Sequence, residues 1–201
     1  MDWHLILLSF VLIFPVELPD KTFVAALVLS TRYKPLAVWV GVGLAFMVQC
    51  AVAVSAGQAV SFLPDWIVHA LSTAMFLIGA VVLFIAAPRA DKEEEEQEEE
   101  FSAKSSEGRT WWRAMLASFV LLFAAEWGDL SQILTLNLVA KYGNPVSVFI
   151  GSWGALLIVS GLAVVAGRVL LRYMKLSVLH YIAGCVCLAF AGFGVYELIV
   201  G

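Results

Sequence analysis

Long apolar runs recur along almost the whole of this 201-residue chain. A helix that crosses a membrane needs roughly 20 consecutive apolar residues. The runs fall into six segments, and the breaks between them carry the proline, glycine and charged residues that commonly mark helix ends. We therefore predict an all-α integral membrane protein with six transmembrane helices, at residues 4–30, 36–60, 66–87, 113–140, 146–171 and 177–200.

The composition excludes several other classes of protein. Hydrophobic residues make up 62% of the chain and charged residues 14%, whereas soluble domains carry about 25% charged residues. This leaves no room for a separate soluble domain and predicts the lipid bilayer, not nucleic acid, as the surrounding partner. The three cysteines lie inside apolar runs and form neither a disulfide framework nor a zinc-binding pair. No cofactor is expected, and the sequence assigns no oligomeric state.

Four carboxylates interrupt the apolar runs. Glu17 and Asp20 lie in the first predicted helix, and Glu126 and Asp129 lie in the fourth. An ionisable group near the middle of a membrane costs roughly 2.5–3.5 kcal/mol on insertion scales, so such groups usually serve a function. Because residues three apart share one helix face, each predicted helix presents a pair of acids. The two pairs are predicted to surround one cation.

Neutral oxygens accompany the acids and complete the predicted set of metal ligands. Thr22 follows the first pair, and Ser131 and Gln132 follow the second. Hard divalent cations such as calcium and manganese prefer oxygen ligands, and no histidine or cysteine accompanies the motifs. Gln49 and Asn137 are further polar residues in predicted helices, suited equally to interhelical hydrogen bonds and to lining an ion path.

A structural role is the alternative for these acids. Glu17 and Lys21 have the spacing of a salt bridge on one helix. Leu130 occupies the equivalent position in the second motif. A salt bridge therefore explains one carboxylate and leaves the other three without a basic partner in the motifs.

The two motifs belong to an internal repeat. Glu17 and Asp20 recur as Glu126 and Asp129, and Gly41 recurs as Gly151 at nearly the same spacing. We divide the chain into a first three-helix repeat at 1–88, an acidic linker at 89–112 and a second repeat at 113–201. Three helices per repeat give the halves opposite orientations in the membrane, and transporters often bind substrate between such inverted repeats.

Basic residues indicate the orientation. Ten of the twelve lysines and arginines lie in or beside the loops after the first, third and fifth predicted helices. Because basic residues mark the cytoplasmic side, both termini are predicted outside the cytoplasm and the linker inside. The linker run from Glu93 to Glu100 is too polar to fold alone. The ten residues are Arg32, Lys34, Arg89, Lys92, Lys104, Arg109, Arg113, Arg168, Arg172 and Lys175.

The paired motifs resemble those of the calcium:cation antiporter-2 family, which includes Golgi and chloroplast calcium/manganese transporters and bacterial manganese exporters. That family carries Glu-x-Gly-Asp-(Lys/Arg)-(Ser/Thr) twice. This chain keeps all four acids and both hydroxyls, but has Pro19 in place of glycine and Leu130 in place of a basic residue. The resemblance implies exchange of manganese or calcium against protons, with the acids as ligands. In the cell membrane of a bacterium it implies export.

Charge balance also favours proton coupling, because the acids outnumber the bases and a dry site disfavours residual charge. A passive divalent-cation channel with the same site is one alternative. An intramembrane aspartyl protease using Asp20 and Asp129 is another, but its Gly-x-Gly-Asp motif would need glycine where Glu126 stands. We therefore predict a transporter and not an enzyme.

Overall fold

The computed structural model describes residues 1–18, 20–60, 62, 64–90, 92, 96, 99, 110–126, 129–173 and 176–200. These residues form helices and no strand, which confirms the all-α class. The helices are α1 (Trp3–Glu17), α2 (Lys21–Arg32), α3 (Pro35–Val60), α4 (Asp65–Ala86), α5 (Trp111–Ala125), α6 (Leu130–Tyr142), α7 (Pro145–Tyr173) and α8 (Leu176–Val200). A short 3₁₀ turn, Ala87–Arg89, follows α4.

Apolar side chains cover much of the outside of the described helices, and the interior combines a large apolar cluster with several buried polar side chains. Ile85 is 68% exposed, whereas Ser9 and Thr135 are buried, and an apolar surface of this extent is typical of a protein that faces lipid. The segments Pro35–Val60 and Pro145–Val165 are each long and apolar enough to cross a membrane, and α5 with α6, bent by 73° relative to each other, gives a third if the pair forms one span. The chain is therefore a helical membrane protein.

Four of the six predicted helices are present. The segments 36–60, 66–87, 146–171 and 177–200 correspond to α3, α4, α7 and α8, with ends that differ by no more than two residues. Most of the predicted linker at 89–112 lies outside the described residues, as does the side chain of Lys21.

The continuous helices predicted at 4–30 and 113–140 are wrong. Each is two shorter helices, α1 and α2 in the first case and α5 and α6 in the second, divided at the acidic motif. Proline supplies no backbone donor for a helix to continue, and the sequence places Pro19 at the first division. Asp129 caps the N-terminus of α6 at the second division, a position that aspartate favours. Pro19, Trp127 and Gly128 lie outside the described residues.

Helices from one half of the chain pack mainly against helices from the other. The α1 helix packs on α7, α5 packs on α3, and α4 packs on α8. Two of these contacts are equivalent: a methyl group added at Gly41 would overlap the carbonyl oxygen of Met115, and one added at Gly151 would overlap that of Ile6. Ile6 and Met115 have the same spacing along the chain as the first acids of the two motifs, so the same close approach occurs twice.

Two tryptophans join α3 and α7 in the middle of this arrangement. The Trp39 indole N–H donates to the carbonyl of Leu157 at 3.0 Å, and the Trp153 indole N–H donates to the carbonyl of Gly43 at 3.0 Å. Each bond reaches from one half to the other, so α3 and α7 hold the two halves together.

Candidate metal centre

The first pair of acids stands where α1 gives way to α2. The α1 helix ends at Glu17, and Asp20 immediately precedes α2. The Asp20 N–H donates to the Glu17 carbonyl at 3.2 Å, and the Phe23 N–H donates to the Asp20 carbonyl at 3.0 Å. These bonds form a tight turn, so both carboxylates extend from the junction instead of from the middle of one long helix.

The second pair occupies the equivalent junction between α5 and α6. Glu126 follows the end of α5, and its N–H donates to the Leu122 carbonyl at 3.0 Å. The Asp129 carboxylate accepts from the Ser131 N–H at 3.3 Å and from the Ser131 hydroxyl at 3.2 Å. The capping interaction fixes Asp129 at the start of α6, beside Glu126.

The two junctions bring all four carboxylates together. One oxygen from each of Glu17, Asp20, Glu126 and Asp129 lies within 4.8 Å of the other three. Glu17 and Glu126 are 0% and 2% exposed, while the two aspartates are partly buried. The sequence places these residues in two motifs that are far apart along the chain, and the packing of the halves makes them one cluster.

Glu17 is a fully buried member of the cluster. The hydroxyls of Thr22 and Ser131 lie near its carboxylate, but neither Glu17 oxygen has a donor in hydrogen-bonding geometry among the described residues. The side chain of Lys21, the predicted salt-bridge partner, is outside that part of the structure. A buried carboxylate without donors is costly, and a bound cation would offset that cost.

The predicted neutral ligands differ in their positions. The Thr22 hydroxyl is buried and has no hydrogen bond within the described part of the chain, whereas that of Ser131 donates to Asp129. The Gln132 side-chain amide donates to the Glu126 carbonyl at 2.9 Å, so its nitrogen is engaged with the backbone of the second junction. All three residues therefore lie at the junctions, in different bonding states.

The other two polar residues make hydrogen bonds. The Gln49 amide of α3 donates to the Phe123 carbonyl at 3.3 Å. The Asn137 amide donates to the Met75 sulfur at 2.9 Å and to the Ile133 carbonyl at 2.9 Å. The sequence identified both residues as buried polar groups, but their partners on other helices required the tertiary structure.

Carboxylates alone form the described cluster, with no histidine or cysteine among its members. Such a set of oxygen ligands suits hard divalent cations. An acidic cluster at helix junctions inside a helical membrane protein defines a class: a membrane protein with a candidate buried cation site.

Comparison with known proteins gives the family. The family profile described as "Divalent cation/proton antiporter GDT1" matches residues 5–91 and 114–200. The chain therefore belongs to the GDT1 family of divalent cation/proton antiporters, and the resemblance seen in its motifs is confirmed. This is a family of transporters, so the prediction that the chain is not an enzyme is confirmed and the protease alternative is set aside.

The alignments with individual relatives cover different shares of each relative's length. The chain is 35% identical to GDT1-like protein sll0615 of Synechocystis sp. over 167 residues, 76% of this chain and 80% of that protein. It is 31% identical to GDT1-like protein 3 of Arabidopsis thaliana, over 91% of this chain and 67% of that protein. It is 28% identical to Protein PAM71, chloroplastic, of Arabidopsis thaliana over 95% of this chain, which spans only 56% of that protein. No solved structure matches the chain.

Proposed function

We propose that this protein exchanges a divalent cation for protons across the membrane, through one site that both halves of the chain build near the membrane midplane. Manganese is the first candidate substrate and calcium the second. The observation that carries the proposal is the convergence of four carboxylates, with oxygens within 4.8 Å of one another, inside a member of a divalent cation/proton antiporter family.

The four acids are the proposed principal ligands. Glu17 and Glu126 are buried, and Asp20 and Asp129 lie beside them. Thr22, Ser131 and Gln132 are proposed as supporting oxygen ligands or as residues that orient the acids. Broken helices support this assignment, because the ends of half-helices at membrane depth supply free backbone groups and commonly surround transported ions. Protons neutralise the carboxylates on the return half of the exchange.

An inverted repeat of three helices per half, giving six spans, is the proposed architecture. The two segments that match the family profile begin at residues 5 and 114, which have the same spacing as Glu17 and Glu126. The equivalent contacts of Gly41 and Gly151 support the same relation. Because one half is inverted relative to the other, a movement of the first half that opens the site to one side of the membrane has a counterpart in the second half. The counterpart opens the site to the other side.

The cell membrane of a bacterium is the proposed location. Both termini are proposed outside the cytoplasm, with the acidic linker inside, because of the bias in basic residues described above. In that orientation the proposed direction of metal transport is export from the cytoplasm.

Transport in liposomes tests the proposal directly. Purified protein is reconstituted with a manganese-sensitive dye inside, a pH gradient is imposed, and Glu17→Gln and Asp129→Asn are measured in parallel. We expect manganese to move only when protons can move the other way, and both variants to stop it. Glu96→Gln, at an exposed position in the linker, is the matched control and should transport normally.

The other outcomes are informative. Manganese movement that ignores the proton gradient would support a passive channel. Calcium movement in the absence of manganese movement would retain the site and change the substrate. If neither cation moves under any gradient while the protein is folded, the proposed function is wrong.

A further inference from the structure

The two helix junctions that carry the acids are held in different ways. At the second junction, Gln49 and Gln132 donate side-chain amide hydrogen bonds to the carbonyls of Phe123 and Glu126. Phe123 lies in the last turn of α5, three residues before Glu126. Both bonds therefore act on the short stretch of backbone that positions the Glu126 carboxylate.

The equivalent positions of the first junction are apolar. Val159 is the counterpart of Gln49 by the spacing that relates Gly151 to Gly41, and Phe23 is the counterpart of Gln132 by the spacing of the acidic motifs. Val159 and Phe23 belong to one small buried cluster, and Phe14, the equivalent of Phe123, packs against it. Dispersion contacts of this kind have no fixed direction, unlike a hydrogen bond to a carbonyl.

The Gln49 bond adds a tertiary contact at the end of α5. The last carbonyls of a helix have no partner within it, and at membrane depth no bulk water replaces a missing donor. An intramolecular hydrogen bond typically contributes about 0.5–1.5 kcal/mol. Gln49 is 2% exposed, and its amide comes from another helix, so it fixes the end of α5 against α3.

The same turn of α3 also borders the first half of the site. Cys50, next to Gln49, is 3% exposed and belongs to the same buried apolar cluster as Val16, the residue before Glu17. This part of α3 therefore stands between the two junctions. A movement of the end of α5 relative to α3 changes the distance between Glu126 and Glu17.

We propose that Gln49 is a positioning residue for the cation site: its hydrogen bond to the Phe123 carbonyl holds Glu126 at the distance from Glu17 that a divalent cation requires. The inference rests on the proposed function, since it assumes that the carboxylate cluster binds the cation. Gln49 acts through Glu126 and is not itself a ligand. Its effect is therefore on the affinity for the cation, beyond any effect on the stability of the fold.

Manganese binding to the purified full-length protein tests this inference. The dissociation constant for Mn²⁺ alone is measured by calorimetric titration for the unmodified protein, Gln49→Leu, Asp129→Asn and Trp39→Phe. Trp39→Phe is the matched control, because it removes one side-chain donor from the same helix to a carbonyl of another helix. It lies ten residues from Gln49, about 15 Å along the helix axis.

We expect Gln49→Leu to raise the dissociation constant roughly 5- to 10-fold, the equivalent of one buried hydrogen bond. Trp39→Phe should leave the dissociation constant within about 2-fold of the value for the unmodified protein. Thermal unfolding is measured for each variant, and both substitutions should lower the midpoint by similar amounts. Equal affinity of Gln49→Leu and the unmodified protein would overturn the inference, as would an equal loss of affinity in Trp39→Phe.

The same titrations distinguish failure of the proposed function from failure of the proposed role of Gln49. If the unmodified protein does not bind manganese or calcium, the proposed function fails and the role of Gln49 fails with it. If the unmodified protein binds, Asp129→Asn weakens binding and Gln49→Leu does not, only the role of Gln49 is wrong. Should Gln49→Leu not fold, Gln49→Met keeps the unbranched side chain and is judged by the same criteria.

Discussion

The two helix junctions of this protein present the same acids but differ in the side chains that pack beside them. Around Glu126, two amides donate to backbone carbonyls, and Ser131 donates to Asp129. At the first junction, the positions equivalent to Gln49 and Gln132 hold the apolar residues Val159 and Phe23, which pack in one small cluster. Two side chains of the second junction thus supply directional bonds, where their counterparts at the first junction supply apolar packing. The same acids are therefore positioned through different neighbours in the two halves.

The largest effect is expected from the acids themselves. Glu17→Gln and Glu126→Gln should each lower manganese transport by about 100-fold or more, since even groups that only support a metal ligand typically contribute about 10- to 100-fold. The measurement is dye quenching in liposomes, with Glu96→Gln as the control. Near-normal transport by either variant would mean that one junction suffices, contrary to a shared site.

The close contacts between halves come next. Gly41→Ala and Gly151→Ala each force a methyl group into a carbonyl oxygen of the facing helix, and overpacking of this kind typically costs about 1–3 kcal/mol. Both should lower the thermal unfolding midpoint in detergent to a similar extent. Gly154→Ala is the control on α7, because its added methyl group meets nothing within 4 Å. Unequal effects at the two glycines would weaken the equivalence of the halves.

Asp129 has two roles that substitution can separate. Asp129→Asn keeps an N-cap for α6 and removes the charge, so it should stop transport and leave stability nearly unchanged. Asp129→Ala removes the cap as well and should lower stability by about 1 kcal/mol. Chemical unfolding in detergent compares the two variants. Equal stability of both would show that the cap seen at Ser131 contributes nothing measurable.

The smallest effect is expected at the hydroxyls. Thr22→Val preserves shape and removes a buried oxygen that has no hydrogen bond within the described residues, so stability should stay equal or rise slightly. If the hydroxyl supports the cation, the manganese concentration for half-maximal transport should rise about 3-fold, the equivalent of roughly 0.7 kcal/mol. An unchanged value would remove Thr22 from the proposed ligand set.

The pattern of apolar runs was sufficient to predict where most helices lie. Their length and composition are properties of short stretches of sequence, and α3, α4, α7 and α8 follow from them. The breaks within the first and fourth predicted helices were missed, because apolar residues continue on both sides of each acidic motif. Pro19 and the N-cap preference of Asp129 were the available signals. Pro19 was considered as a departure from the family motif and Asp129 as a ligand, whereas the turns at the two motifs place the acids at helix ends.

The sequence by itself determined the class of protein, the four acids and their repetition, since each is visible as composition, residue type or spacing. Tertiary structure alone decided that the two pairs meet, because the convergence depends on how α1 packs on α7 and α5 on α3, between helices that are distant along the chain. It also decided the partner of Gln49. A buried amide must find a hydrogen bond, but which carbonyl it reaches depends on the neighbouring helix and not on its own.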